Sequence, residues 1–138
     1  MSTPHRFPLL AAGLFGASGV GLGAFGAHAL RPALIELGTR DRWETAVFYQ
    51  LVHTLALFGA AVWLRTNPGT KALIWAVRYW TIGIVLFSGG LYVMALNPEA
   101  PVVIRAAVPP LGGTAFIFGW LFVAAAALAK PAAVDEQK

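Results

Sequence analysis

The sequence predicts an all-α integral membrane protein, a bundle of four transmembrane helices forming one domain. Two observations carry that prediction. The chain is 58% hydrophobic and 12% charged over 138 residues, with a mean hydropathy of +0.69. A fold this small buries only around two-thirds of the surface its unfolded chain exposes, so a soluble core cannot absorb that much apolar surface, and lipid is the remaining solvent. The second observation is placement: Asp, Glu, Lys and Arg are absent from residues 7–30, 45–64, 79–98 and 106–129. Each window supplies the roughly 20 apolar residues that a helix needs to cross the hydrocarbon core. Four windows mean four spans, approximately 7–30, 43–64, 76–96 and 108–129.

Span 1 is expected to stop at Arg31-Pro32, where the proline ring restricts the preceding residue and removes a donor. His28, near its exit, is expected to cap the helix C-terminus, where unpaired carbonyls favour a donor. Arg31 to Arg42 reads as a short polar connection. Within it, Asp41 followed by Glu44 has the form of an N-cap with an acidic partner three residues on, which predicts capping at the start of span 2. Span 2 closes before Asn67-Pro68-Gly69, a turn signal. Lys71 to Arg78 is expected to form an interfacial turn leading into span 3, which Asn97-Pro98 closes. A helix begun at Val102 would meet Pro109-Pro110 within two turns, whereas proline suits a first turn. Glu99 to Pro109 is therefore read as an interfacial loop, and Pro110 to Ala129 as the regular part of span 4. Trp43, Trp63, Trp75, Tyr79 and Trp80 fall near span ends, where aromatic side chains form interfacial belts. Trp120 lies mid-span and reads as a packing or lipid-facing aromatic.

Ala27-His28-Ala29 has the small-residue form of a signal-peptide cleavage site, but the apolar run before it is too long and carries one preceding Arg, so it is read as a span. Four spans put both termini on one side with the loop between spans 2 and 3. That side carries Arg6, Arg65, Lys71, Arg78, Lys130 and Lys138, against Arg31, Arg40, Arg42 and Arg105 on the other. Six cations against four predict cytoplasmic termini, because cations near span ends stay inside. The net charge of +4 and pI near 10.0 have this topological origin. The basic residues are dispersed among loops, which excludes a nucleic-acid footprint. Cysteine is absent, so there is no disulfide, thiolate metal site or Cys nucleophile.

In span 1, Ala12, Gly16, Gly19, Gly23 and Gly26 recur at spacings of four, three, four and three, one bare stripe on a helix. Gly19-x-x-x-Gly23 is a close-packing motif for membrane helices. Another helix is expected against it, from this chain or from a second copy. Gly21-x-Gly23-x-x-Gly26 also matches a dinucleotide-binding fingerprint, which requires a preceding strand and a βαβ unit and so fails on a long apolar helix. Gly89 in span 3, and Gly112 and Gly113 in span 4, are further helix-packing candidates.

His53 lies nine residues into span 2 from Glu44, roughly 13–14 Å along the axis and near mid-bilayer. Ionisable groups at that depth face the bundle interior and mark functional candidates. Ala46, Gln50, His53 and Leu57 share a face, and Tyr49 precedes His53 by one turn. An intramembrane polar cluster of Tyr49, Gln50, His53, Ser88, Tyr92 and Thr114 follows, with interhelical hydrogen bonding as its alternative role. Hydrocarbon satisfies neither ring nitrogen of His53, and the backbone groups of its own helix bond one another. Its partner is therefore expected on another span, Ser88, Tyr92 or Thr114. His28 and His53 stand at different depths, which argues against paired haem ligation, and no metal or other cofactor is expected.

Four segments in order, LGAFGAH (Leu22 to His28), YQLVHTLAL (Tyr49 to Leu57), LFSGGLY (Leu86 to Tyr92) and PPLGGTAFIFGW (Pro109 to Trp120), resemble the YgdD-like and YwdK-like family of small four-span membrane proteins, which has a eukaryotic branch. One segment falls in each span. The resemblance implies a multi-pass protein of the bacterial inner membrane without established activity, cofactor or substrate. It directs attention to Gly23, Gly26, His28, Tyr49, Gln50, His53, Ser88, Gly89, Tyr92, Gly112, Gly113 and Trp120. Pro110 and Gly90 depart mildly from the family pattern and bear on local helix geometry only.

Three functions compete. Glycine stripes and short loops favour a helix-packing or accessory module of a membrane complex, with partners in the bilayer or a second copy. A small oligomeric transporter or channel would use His53 with Tyr49 and Gln50, since imidazole changes charge near neutral pH. An enzyme acting on lipid or quinone finds neither paired carboxylates nor a nucleophile beside a base.

Overall fold

The computed structural model describes residues 6–128. Ala129, the expected end of span 4, and the cations Lys130 and Lys138 lie outside them. The chain runs α1 (Arg6–Ala27), α2 (Arg31–Glu36), α3 (Arg40–Thr66) and α4 (Lys71–Gly83). It continues through a π-helical turn (Ile84–Ser88) into α5 (Gly89–Leu96), then α6 (Val102–Ala106) and α7 (Val108–Leu128). Among the described residues there is no strand. The four segments long and apolar enough to cross a membrane are Arg6–Ala27, Arg40–Thr66, Lys71–Leu96 and Val102–Leu128. The fold is an all-α membrane four-helix bundle. Large apolar chains such as Leu14, Leu55 and Ile117 stay exposed along its outer surface, as lipid-facing residues do.

The spans pack in chain order. α1 lies on α3, α3 lies on the third span, and the third span lies on α7, while α1 and α7 do not pack along their lengths. One apolar core joins Ala12, Leu57, Leu64, Leu73, Val77, Trp80 and Phe116. A smaller one gathers Leu34, Trp43 and Ala95 at the end where α2 sits.

Several boundaries differ from the sequence reading. α1 stops at Ala27, three residues early, because Leu30 N–H reaches back to the Phe25 carbonyl and closes the helix with a wider turn. The supposed polar connection from Arg31 contains α2. Pro32 fits its first turn, Leu34 is fully buried, and Gly38 at φ 64° closes it in the left-handed region. α3 begins at Arg40, ahead of Asp41, so Asp41 sits inside the first turn and Glu44 pairs with Arg40 at 2.7 Å. Neither is a cap. Thr39 holds the N-cap position, but its hydroxyl donates to the Ala95 carbonyl at 2.7 Å, tying α3 to the end of α5.

The third span starts at Lys71, and its first turns carry the buried Leu73, Ala76 and Val77, which makes them core and not merely interfacial. Residues 99–109 are not all loop: α6 forms a separate short helix, and α7 opens at Val108 with both prolines in a first turn that needs no donors. Of the expected aromatic belt, Trp63 and Trp75 are exposed in part, whereas Trp43 and Trp80 are buried. Each buried indole fills the space above a glycine of a neighbouring helix, Gly26 for Trp43 and Gly119 for Trp80.

Candidate functional site

The polar residues of the spans form two separate groups. The first is built on Gln50, which is 3% exposed. Its amide nitrogen donates to the Phe15 carbonyl and to Ser18 Oγ of α1, both at 2.9 Å. Its amide oxygen accepts from the Tyr92 hydroxyl of α5 at 2.9 Å. One side chain thus ties three spans together. The small-residue stripe is what brings the α1 backbone within reach: a Cβ on Gly19 would stand 2.8 Å from Leu51 Cδ2 and 3.2 Å from Gln50 Nε2. The stripe rests on α3 of the same chain throughout, with Gly16 against Thr54, Gly23 against Val47 and Gly26 against Trp43. Trp43 Nε1 also donates to the Leu22 carbonyl at 3.0 Å, and its ring meets Tyr92 at 4.7 Å between centroids.

The second group is built on His53, about 20 Å from the start of the 27-residue α3 at 1.5 Å per residue, hence at its midpoint. His53 is 4% exposed. Nδ1 lies 2.8 Å from the Tyr49 carbonyl and Nε2 lies 3.2 Å from the indole nitrogen of Trp120. A carbonyl accepts and an indole donates, so the ring donates from Nδ1 and accepts at Nε2, the pattern of a neutral imidazole. Phe116 lies flat on it, centroids 3.5 Å apart at 10°. The expectation that its own helix leaves His53 unsatisfied is corrected, because a carbonyl oxygen has two lone pairs and the helical ladder uses one. The partner does come from another span, but it is Trp120 and none of the three residues expected.

Antiparallel packing explains the difference. The third span descends past α3, so Tyr92, near its end, meets α3 at the level of Trp43 and Gln50 and not at His53. Thr114 is two residues from both Gly112 and Phe116, which face inward, so it points outward, and its hydroxyl donates to the Pro110 carbonyl. Ser88 is fully buried in the π-helical turn, yet its Oγ has no partner among the described residues. Tyr49 is 38% exposed; its ring lies against Phe87 at 4.7 Å. His28 is exposed and only its backbone takes part in the turn after α1. The helix-packing set also changes. Gly112 presses on Phe87, where an added Cβ would stand 2.8 Å from the Phe87 Cα, and Gly113 makes ordinary contact. Gly89 faces open space, while Gly83, Gly90 and Gly119 take the close approaches, against Phe116, Pro109 and Trp80. The π-helical turn coincides with the Gly112 contact, one of the close approaches of the fourth span to the third.

Sequence reasoning missed Ser18, Thr39 and Arg42, whose guanidinium donates to the Met94 carbonyl at 3.0 Å. Ser18 lies beside the glycine stripe, and that adjacency was the available signal. Among the described residues no three His, Cys, Asp or Glu side chains gather as metal ligands would.

These features define a class: a small multi-pass α-helical membrane protein whose buried Gln50 and His53 are spent on contacts with its own neighbouring helices. The chain belongs to the family described as protein of unknown function (DUF423), whose model matches residues 22–113. It is 37% identical over 126 residues to the UPF0382 inner membrane protein YgdD of Escherichia coli strain K12, covering 89% of this chain and 90% of that protein. It is 38% identical over 109 residues to the UPF0382 membrane protein YwdK of Bacillus subtilis, covering 79% and 85%. A UPF0382 membrane protein of Staphylococcus epidermidis is 40% identical over 109 residues, covering 79% and 84%. No solved structure matches.

Proposed function

We propose that the protein is a helix-packing module that assembles, through the outer face of α1, with another membrane subunit or a second copy of itself. The observation that carries this reading is a second small-residue stripe. Gly13, Ala17 and Gly21 recur every four residues on the exposed side of α1, and an added Cβ on Gly13 or Gly21 would meet nothing within 4 Å. Small residues at that spacing let membrane helices approach closely. The inner stripe is filled by α3, and the outer one is bare. Arrangement of the polar groups supports the same reading: Gln50 and His53 are committed to partners inside the chain. Transport through His53, the alternative, needs a polar path, and the Gln50 and His53 groups share no hydrogen bond.

The YgdD relative is named an inner membrane protein, and we propose the same membrane for this chain, with both termini cytoplasmic. The six-to-four cation count supports that orientation. Purification in mild detergent tests the assembly: the protein is expected to elute as a dimer or in a larger complex. Elution as a lone monomer from native membranes would sink the proposal.

A further inference from the structure

At the end of the bundle where α1 begins and α3 ends, a cleft of about 480 Å³ opens between the helices. Its walls are apolar, from Phe7, Pro8, Leu64, Ile74 and Val77, and Arg78 stands at its rim. The guanidinium is held over the Trp75 ring, 4.9 Å from the centroid. Arg78 has no ionic partner among the described residues. The surroundings are one-sided in charge. Among the described residues this end carries Arg6, Arg65, Lys71 and Arg78 and no acid, whereas at the other end Arg31, Arg40, Arg42 and Arg105 are matched by Glu36, Asp41, Glu44 and Glu99.

Depth fits as well. The third span is 26 residues long, about 39 Å at 1.5 Å per residue, against a hydrocarbon core of about 30 Å. Arg78 lies seven residues in from Lys71, close beneath the headgroup boundary, within snorkelling reach of a lipid phosphate. We infer that this cleft binds an anionic phospholipid, one acyl chain lying against its apolar walls and the phosphate meeting Arg78. Charge complementarity selects the occupant: a zwitterionic lipid gains little from four cations with no acid beside them among the described residues.

Native mass spectrometry on the full chain in detergent, titrated with dioleoylphosphatidylglycerol or dioleoylphosphatidylcholine, tests this. The wild type is expected to retain one phosphatidylglycerol with a preference of about fivefold, what one cation near an anionic surface contributes. Arg78→Gln should erase the preference while phosphatidylcholine retention persists, and Ile74→Trp, which fills the cleft, should lower both. Arg105→Gln, at the opposite end, should leave the preference intact. Equal retention of the two lipids by the wild type would overturn the inference, as would an equal effect of Arg105→Gln. Competition by free glycerol 3-phosphate as strong as by the whole lipid would reveal a phosphate site without an acyl-chain site, and would overturn it too.

Discussion

Replacing Gln50 by leucine keeps the side chain's bulk and removes its amide. The structure gives the cost. Three interhelical hydrogen bonds disappear, to Phe15 O, Ser18 Oγ and Tyr92 Oη, and each such bond in a membrane protein contributes about 0.6 kcal/mol on average. Their sum is about 2 kcal/mol. Ser18 keeps its own bond to the Phe15 carbonyl, so the stranded group is the Tyr92 hydroxyl, and one unpaired buried polar group costs about 1–3 kcal/mol. Both routes give a loss near 2 kcal/mol. Reversible unfolding in mixed micelles of mild detergent and dodecyl sulfate, followed by circular dichroism, measures it. A double-mutant cycle of Gln50→Leu with Tyr92→Phe isolates one bond and should return about 0.6 kcal/mol of coupling. If Gln50→Leu stays within about 0.5 kcal/mol of the parent, as a surface change would, the bridge between α1, α3 and α5 is not a stabilising element.

Glycine substitutions should sort by what an added Cβ meets: Gly26→Ala, driven into Trp43, should lower stability by about 1–3 kcal/mol. Gly89→Ala, which meets nothing within 4 Å, should raise it by up to about 1 kcal/mol through helix propensity; the same unfolding assay reads both. Trp120→Phe removes the donor to His53 Nε2 and should cost about 0.6 kcal/mol, whereas Tyr49→Phe, whose hydroxyl has no partner among the described residues, should change stability by less than about 0.5 kcal/mol. A larger effect at Tyr49 than at Trp120 in side-by-side melts would contradict the assignment of His53's partner.

The spans were legible because charge-free windows and hydrocarbon thickness are both one-dimensional quantities. The α1 stripe was equally legible, since helical periodicity alone groups Gly16, Gly19, Gly23 and Gly26 on one face. Its neighbour was not, because nothing in a periodic pattern says which helix covers it. The polar cluster shows the same limit. Helical spacing put Gln50 and His53 on one face of α3, but whether Tyr92 meets one or the other depends on how far the antiparallel third span has descended, and the π-helical turn shifts that register. Thr114 was misjudged on orientation, and Trp43 and Trp80 on burial, because an indole near a span end serves the interface or a glycine socket equally well. Asp41 and Glu44 match a capping pattern, yet the N-cap falls two residues earlier, at Thr39, and Arg40 takes Glu44 for itself.

The bare outer face of α1 is the proposed assembly surface. Because the chain has no cysteine, Ala17→Cys introduces a single thiol at the middle of the Gly13, Ala17, Gly21 stripe, and a benzophenone photo-crosslinker coupled to that thiol in native membranes captures a protein neighbour whether or not the neighbour carries a thiol. Leu55→Cys, on an exposed position of α3, is the control. A discrete adduct of defined mass is expected from Ala17→Cys and none from Leu55→Cys. No adduct at Ala17, or equal cross-linking at both positions, would mean that the outer face of α1 meets only lipid.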